Sequence, residues 1–248
     1  MDVMNAVNAL SLISLPAAMA LLGGQRAGGK YTSRLETRSV RVRRDFTPDG
    51  SLQKAAWRSA KWVTFDHDWS GKHRYPQAQT RVASVWTPQQ FYLAYWCKYT
   101  QLNVFDNGDP SRDTIGLWNR DVVEAFINAH PEHVDQYYEF EVAPNNLWVD
   151  LKIDLDRKPF NSAAWNSGYL HATKIDSGKR VWTCEMRIPV ESIAGSDYSL
   201  ASGAVWRINL YRADGPGSAA ERRLLTWSPT LRPNFHTPTR FGRIRFVS

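Results

Sequence analysis

The stretch Trp118-Asn119-Arg120-Asp121-Val122-Val123-Glu124-Ala125-Phe126-Ile127-Asn128 is where residue types and spacing point to chemistry. A Trp and an Asp precede an alternating run that carries a lone Glu. Alternation puts Val123, Ala125 and Ile127 on one face of a strand, and Val122, Glu124, Phe126 and Asn128 on the other. The first face reads as core. The second brings a carboxylate near an exposed indole. A flat apolar ring beside a fixed hydrogen-bonding group suits a sugar ring, with stacking for its C–H face and polar contacts for its hydroxyls. The competing reading is a half-buried edge strand whose Trp belongs to the core.

Two neighbouring runs extend the pattern. In Tyr137 to Val142, Tyr138, Phe140 and Val142 face the core, so Tyr137, Glu139 and Glu141 face outward. In Leu147 to Asp154, Leu147, Val149, Leu151 and Ile153 face the core, and Trp148, Asp150, Lys152 and Asp154 face outward. If these runs pair with the Glu124 strand, one face carries Glu124, Tyr137, Glu139, Glu141, Trp148, Asp150 and Lys152. That is a polar concave surface with aromatic rims, or else the wet face of an ordinary antiparallel sheet.

Other chemistries fit less well. A glycosidase needs two carboxylates about 5–10 Å apart. Glu124, Glu139, Glu141 and Asp150 could supply a pair, but a sheet face offers many accidental ones, and hydrolysis of O-glycosyl bonds is not favoured. Pro131 in His130-Pro131-Glu132-His133 argues for a turn rather than a metal-binding helix face. Asp106-Asn107-Gly108-Asp109 lacks the spacing of a calcium loop. Met186, the one well-placed Met for haem, alternates with Trp182 and Cys184 toward the core. No Gly-x-Ser-x-Gly elbow and no Gly-rich phosphate loop after a strand is present.

The elements that must position these residues are short alternating runs separated by turn residues, the pattern of an all-β antiparallel sandwich of two sheets, immunoglobulin-like or jelly-roll-like. Strands are expected at 39–46, 79–86, 90–98, 121–128, 136–143, 147–154, 170–175, 180–188, 206–212 and 240–246. Thr47-Pro48-Asp49-Gly50 is a turn. Leu52 to Ala60 is a short helical turn with Leu52, Ala56 and Trp57 inward, and Pro189 to Ile193 is another.

The 248 residues suffice for a substantial core. The 11 Trp are many, and some are expected to line a binding surface. The net charge of +7 is uneven, with five Arg between Arg34 and Arg44 and three between Arg240 and Arg245. These read as solvated strand edges rather than a nucleic-acid surface. Cys97 and Cys184 form no zinc or Cys-x-x-Cys pattern, and spacing leaves open whether they pair or are buried thiols. Ala9 to Gly24 is apolar but short for a membrane span, and Ala18-Met19-Ala20 fits a secretory cleavage site, although no Lys or Arg precedes it. Residues 1–30 are therefore expected to be a signal peptide and flexible leader, residues 31–248 the folded domain, and the protein secreted or periplasmic.

Several blocks carry a family resemblance. Pro48-Asp49-Gly50-Ser51-Leu52 with Ala56-Trp57, Trp118 through Phe126, Tyr137-Tyr138-Glu139-Phe140-Glu141-Val142, Trp182 through Pro189, Trp206-Arg207-Ile208-Asn209, Trp227-Ser228-Pro229 and Phe235 through Phe246 occur in order. The chain resembles carbohydrate-binding module family 9 and family-9-like sugar-binding domains from about Thr37 to Phe246. The resemblance implies a non-catalytic β-sandwich that binds mono-, oligo- or polysaccharide and accompanies polysaccharide-degrading enzymes. It places a two-ring clamp on Trp118 and Phe235 and the hydrogen-bonding Glu on Glu124. A sugar-contacting Arg of the family is replaced by Glu141, and a nearby Asn by Ala143. Asn209 and Arg212, with Glu139, Tyr137 and Trp148 from the shared face, complete the expected ligand site, while Asp121 is expected to fix the loop before the strand. The family also admits structural calcium, whose ligands the sequence does not place. The alternatives are a domain associated with glycoside hydrolysis, or a structural or partner-binding sandwich without ligand.

Overall fold

The computed structural model describes residues 30–162, 164–215 and 222–248. The leader expected over residues 1–30 falls, Lys30 apart, outside them. Among the described residues the chain is built of strands and short helical turns. The strands are β1 (Glu36–Arg41), β2 (Val63–Phe65), β3 (Thr80–Trp86), β4 (Gln90–Lys98), β5 (Val122–Asn128), β6 (Gln136–Val142) and β7 (Trp148–Asp154). They continue with β8 (Asn161–Ser162), β9 (Leu170–Asp176), β10 (Val181–Pro189), β11 (Val205–Asp214), β12 (Arg223–Thr226) and β13 (Gly242–Val247). One α-helical turn, α1 (Val190–Ala194), follows β10, and a 3-10 turn spans Ala55–Arg58. Both turns lie where Pro189 and the Leu52–Ala60 pattern put them. No described helix is long and apolar enough to cross a membrane.

The strands form one hydrogen-bonded sheet in the order β8-β7-β6-β5-β11-β13-β1-β3-β4-β10-β9, with β12 on β11 and β2 on β3. The expectation of a purely antiparallel sandwich needs correction. β1 runs parallel to both β13 and β3, so the sheet is mixed. It curls at β1, and its two halves face each other across a common core. Phe91, Leu93, Tyr95, Trp182, Cys184 and Met186 from one half meet Val123, Ala125, Phe140, Val142, Leu210 and Ile244 from the other. Buried hydroxyls cross the gap: Tyr95 donates to the Glu124 carbonyl at 2.9 Å and Tyr169 to the Glu141 carbonyl at 2.8 Å.

The Arg-rich runs do not blunt sheet edges. β1 and β13 are central strands, each paired on both sides, and their arginines project outward, where Glu36 pairs with Arg243 at 3.1 Å and Arg245 at 3.4 Å. Cys97 and Cys184 are buried free thiols on adjacent strands, Cys97 opposite Trp182 and Cys184 opposite Tyr95. Trp57, Trp86, Trp182, Trp206 and Trp227 are buried, while Trp62, Trp69, Trp96, Trp118, Trp148 and Trp165 are half-buried.

Glu185, fully buried on β10, ties the Asp-Gly turn to the sheet. Its carboxylate accepts from the Asp49 and Gly50 amides at 2.7 and 3.0 Å, from Lys54 Nζ at 2.7 Å and from Trp57 Nε1 at 2.6 Å. Four donors, one of them charged, offset the desolvation of this carboxylate. Gly50 has φ +72°, and a Cβ there would lie 2.7 Å from the Thr173 carbonyl carbon. The turn therefore requires glycine both for its left-handed backbone and for its close approach to β9.

Candidate functional site

Strand register decides which candidate residues share a face. On β5, Glu124 lies opposite Glu141 of β6 and Tyr211 of β11, and Phe126 lies opposite Glu139 and Asn209. Tyr137, Glu139 and Glu141 in turn oppose Ile153, Leu151 and Val149 of β7. Directly opposed residues point to the same side of a sheet. Glu124, Tyr137, Glu139, Glu141, Asn209 and Tyr211 thus occupy the outer face, away from the common core. Trp118 reaches this face from a 3-10 turn, Leu117–Asn119, anchored by the fully buried Leu117. Phe235 arrives on the segment that also carries Phe241.

That face is not an open, wet surface. It carries a second core of Leu117, Val122, Phe126, Tyr137, Val149, Leu151, Tyr211, Phe235 and Phe241, with Trp118 half-buried against it. Glu124 is 2% exposed, Glu139 3% and Glu141 0%. Both faces of β5 are buried, the inner by the opposing half of the sheet and the outer by the Leu117 turn and the Phe235 segment.

Trp148, Asp150 and Lys152 do not join the acids. They oppose Val142, Phe140 and Tyr138 on the inner side of β6. Trp148 donates to the Pro110 carbonyl at 2.8 Å and packs edge-on to Tyr169. Burial raises Asp150, which accepts from the Ser167 amide at 2.8 Å. Val149, Leu151 and Ile153 face the outer core rather than the inner one, which inverts the expected faces of this strand. Arg212 is also on the inner side, opposite Val123. Its guanidinium lies 5.8 Å from the Trp182 ring and donates to the Lys98 carbonyl and to Asp214, both at 2.5 Å.

On the outer face, several polar groups are committed to the fold. Asn209 donates to Tyr211 Oη at 2.8 Å and to the Ser228 carbonyl at 2.9 Å, and accepts from the Ser228 amide at 3.0 Å. Tyr211 donates to the Phe235 carbonyl at 3.0 Å. Tyr137 Oη and His236 Nδ1 lie 2.7 Å apart. Desolvation lowers His236, against the pull of Glu139, and so favours its neutral form.

The acids are held differently. Carboxylate oxygens of Glu124, Glu139 and Glu141 lie within 4.8 Å of one another. Both oxygens of Glu141 and Oε2 of Glu139 are buried with no hydrogen-bond partner among the described residues. Burial, then the neighbouring carboxylates, pushes Glu124 and Glu141 well above the usual carboxylate range, and Arg222 pulls the other way. Arg222 donates to the Trp118 carbonyl and so links the Trp turn to the acids. Asp121, whose carboxylate accepts from the Gly215 amide at 2.9 Å and the Asn103 amide at 3.2 Å, fixes the loops beside the strand, as expected. Burial and then Asp214 push it up to about 7, with Arg212 and the two amides opposing.

The sequence reading missed Tyr211, Arg222 and His236. Tyr211 was within reach, since it alternates with Asn209 on β11. Arg222 and His236 lie outside the sheet and carry no local signal. Of the motifs set aside earlier, Asp109 is spent on Ser111 and Arg112, and His130 faces Glu132 at 3.5 Å in an exposed turn. An open groove of about 720 Å³, lined by Arg41–Thr47, Lys54–Ala56 and Ser59, includes none of these acids or clamp residues.

The fold is that of an all-β protein built on a curled mixed sheet, and comparison with known proteins gives its class. The family model described as carbohydrate family 9 binding domain-like matches residues 49–248, and the chain belongs to that family. A crystal structure of a candidate carbohydrate-binding protein from Bacteroides uniformis superposes with a TM-score of 0.69 at 20% identity, over 87% of this chain and 100% of that one. A family 9 carbohydrate-binding module from Caldicellulosiruptor kristjanssonii has a similar fold. Its cellotriose complex gives a TM-score of 0.60 at 15% identity, over 86% of this chain and 94% of the module. Its glucose complex gives 0.57 at 15%, over 86% and 95%. A relative from Arthroderma benhamiae described as an extracellular protein is 26% identical over 183 residues, covering 69% of this chain and 80% of its own length.

Proposed function

We propose that the chain binds carbohydrate without catalysis on the outer face of the β5–β6–β11 layer. Trp118 and the edge of Phe235 supply the apolar surface, and Glu124 supplies a polar contact beneath them. The observation that carries this reading is the packing of Trp118 and Phe235 in one cluster, on the face that bears Glu124, at the centre of the family match. The cellotriose and glucose complexes of a protein of the same fold support the ligand class. Residues 31–248 act as the binding domain and residues 1–30 as its export leader. The description of the Arthroderma benhamiae relative supports a secreted or periplasmic setting, in which the domain accompanies polysaccharide breakdown.

Phe235 is only 8% exposed. This favours a second reading, in which the aromatic cluster is simply a second core and the sandwich binds a protein partner. Tryptophan fluorescence titration with glucose and cellotriose separates the two. A saturable shift that Trp118→Ala abolishes in a folded variant supports the carbohydrate site. The absence of any shift in the wild type favours the second core.

A further inference from the structure

The carbohydrate reading leaves unexplained why three glutamates converge inside an apolar cluster. Glu139 and Glu141 leave three oxygens buried with no donor among the described residues, and the two carboxyls can hydrogen-bond to each other only by sharing a proton. The nearby hydroxyls do not serve them, because Tyr211 donates to the Phe235 carbonyl and Tyr137 is paired with His236. Among the described residues the cation coupled to the group is Arg222, whose guanidinium also donates to the Trp118 carbonyl. Three ionised carboxylates against one guanidinium leave a net charge of about −2 in a place that water does not reach, and a buried charge of that kind needs a counter-charge or protons.

The geometry suits the first solution. Calcium takes six to eight oxygen ligands at about 2.3–2.6 Å, so opposed ligands sit about 5 Å apart. Oxygens of Glu124, Glu139 and Glu141 lie within 4.8 Å of one another, and three carboxylates offer up to six oxygens. The acids also stand on rigid neighbouring strands, Glu124 directly opposite Glu141 with Glu139 two residues along on the same face. We propose that Glu124, Glu139 and Glu141 form a binding site for one divalent oxygen-seeking cation, Ca2+ by size, which neutralises the charge left by Arg222. The site is distinct from the Asp106–Asp109 loop and stands whether or not the outer face takes sugar.

The test uses the full chain, stripped with chelator and titrated with CaCl2 in the absence of sugar, read by calorimetry and by thermal unfolding. One equivalent of Ca2+ should bind and raise the unfolding temperature. Glu139→Gln and Glu141→Gln should each lose both the binding heat and the calcium-dependent rise. Each replacement removes a buried charge at constant shape, so both variants should fold at least as stably as the metal-free wild type. Tb3+ offers a second readout, because Tyr137, Tyr211 and Trp118 stand close enough to sensitise its emission, and Ca2+ should quench that emission by competition. Two results overturn the proposal. One is a wild type that takes up no Ca2+ and whose unfolding temperature is the same with Ca2+ as with chelator. The other is uptake that survives unchanged in both variants.

Discussion

The Phe235 ring lies flat on Tyr211, with ring centroids 4.0 Å apart and planes 15° from parallel. One face of the ring expected to stack on a sugar is therefore already taken by the protein. Phe235 and Trp118 differ in this respect, since the indole is half-buried at the margin of the same cluster. The two halves of the expected clamp carry different shares of stability and binding.

Phe235→Ala is expected to destabilise the fold by about 3–5 kcal/mol, the usual cost of deleting a buried aromatic ring. Trp118→Ala is expected to cost about 1–2 kcal/mol, as suits a ring only partly removed from water. Urea unfolding of the two variants checks the order. Equal losses would mean that Trp118 belongs to the core as fully as Phe235.

Glu185→Ala should be among the most damaging single changes outside the outer-face cluster. It strands the Asp49 and Gly50 amides, Trp57 Nε1 and Lys54 Nζ together. Breaking a buried charged pair from one side costs about 3–5 kcal/mol. Trp57→Phe removes a single donor from the same carboxylate and should cost about 1–3 kcal/mol. Equilibrium denaturation measures both.

Asp121 makes stability depend on pH. Its folded pKa of about 7 stands above its ordinary 3.8, so the folded protein binds the extra proton between those values. The associated stability is complete below about pH 4 and is lost as pH rises through 7. Asp214, Arg212, Arg222 and the Asn103 and Gly215 amides face this carboxylate. His67, His171 and His236 are lowered by burial and act in the opposite sense below about pH 6.5. Glu124 and Glu141, also raised by burial, act in the same sense as Asp121, so the difference between the wild type and Asp121→Asn is what isolates this acid. Thermal unfolding in chelator should show the wild type losing stability relative to Asp121→Asn as pH rises from about 4 to 7.

Arg212 stands on the inner side of β11 and serves the core. Arg212→Met should destabilise by about 3 kcal/mol or more through the orphaned Lys98 carbonyl and the half-paired Asp214. Carbohydrate affinity in the folded fraction should not change. A selective loss of affinity would return Arg212 to the ligand site.

Much of the local structure was legible in the chain. The β3–β4 hairpin, the alternation of β5, β6 and β11, the turn at Gly50 and the one after Pro189 all follow from period and turn chemistry. So does the grouping of Glu124, Glu139 and Glu141, because pairing two alternating strands in register puts every second residue on one side. Alternation says which residues share a face and is silent on which face that is. Trp148 and Arg212 were misplaced for that reason, since their strands are buried on both sides and carry apolar residues on each.

The sequence by itself determined the longer strands, their apolar rows, the Gly50 turn and the family match over residues 49–248, since these rest on short-range geometry and residue type, but it put β1 at 39–46 and did not mark the short β2, β8 and β12. Only the tertiary structure decided that β1 joins the two halves of the sheet in parallel, that the acid-bearing face lies under a second core, and that Arg222 and His236 come to the glutamates and to Tyr137. Those outcomes depend on which distant segments cover a face, and burial by residues a hundred positions away leaves no mark in the local pattern.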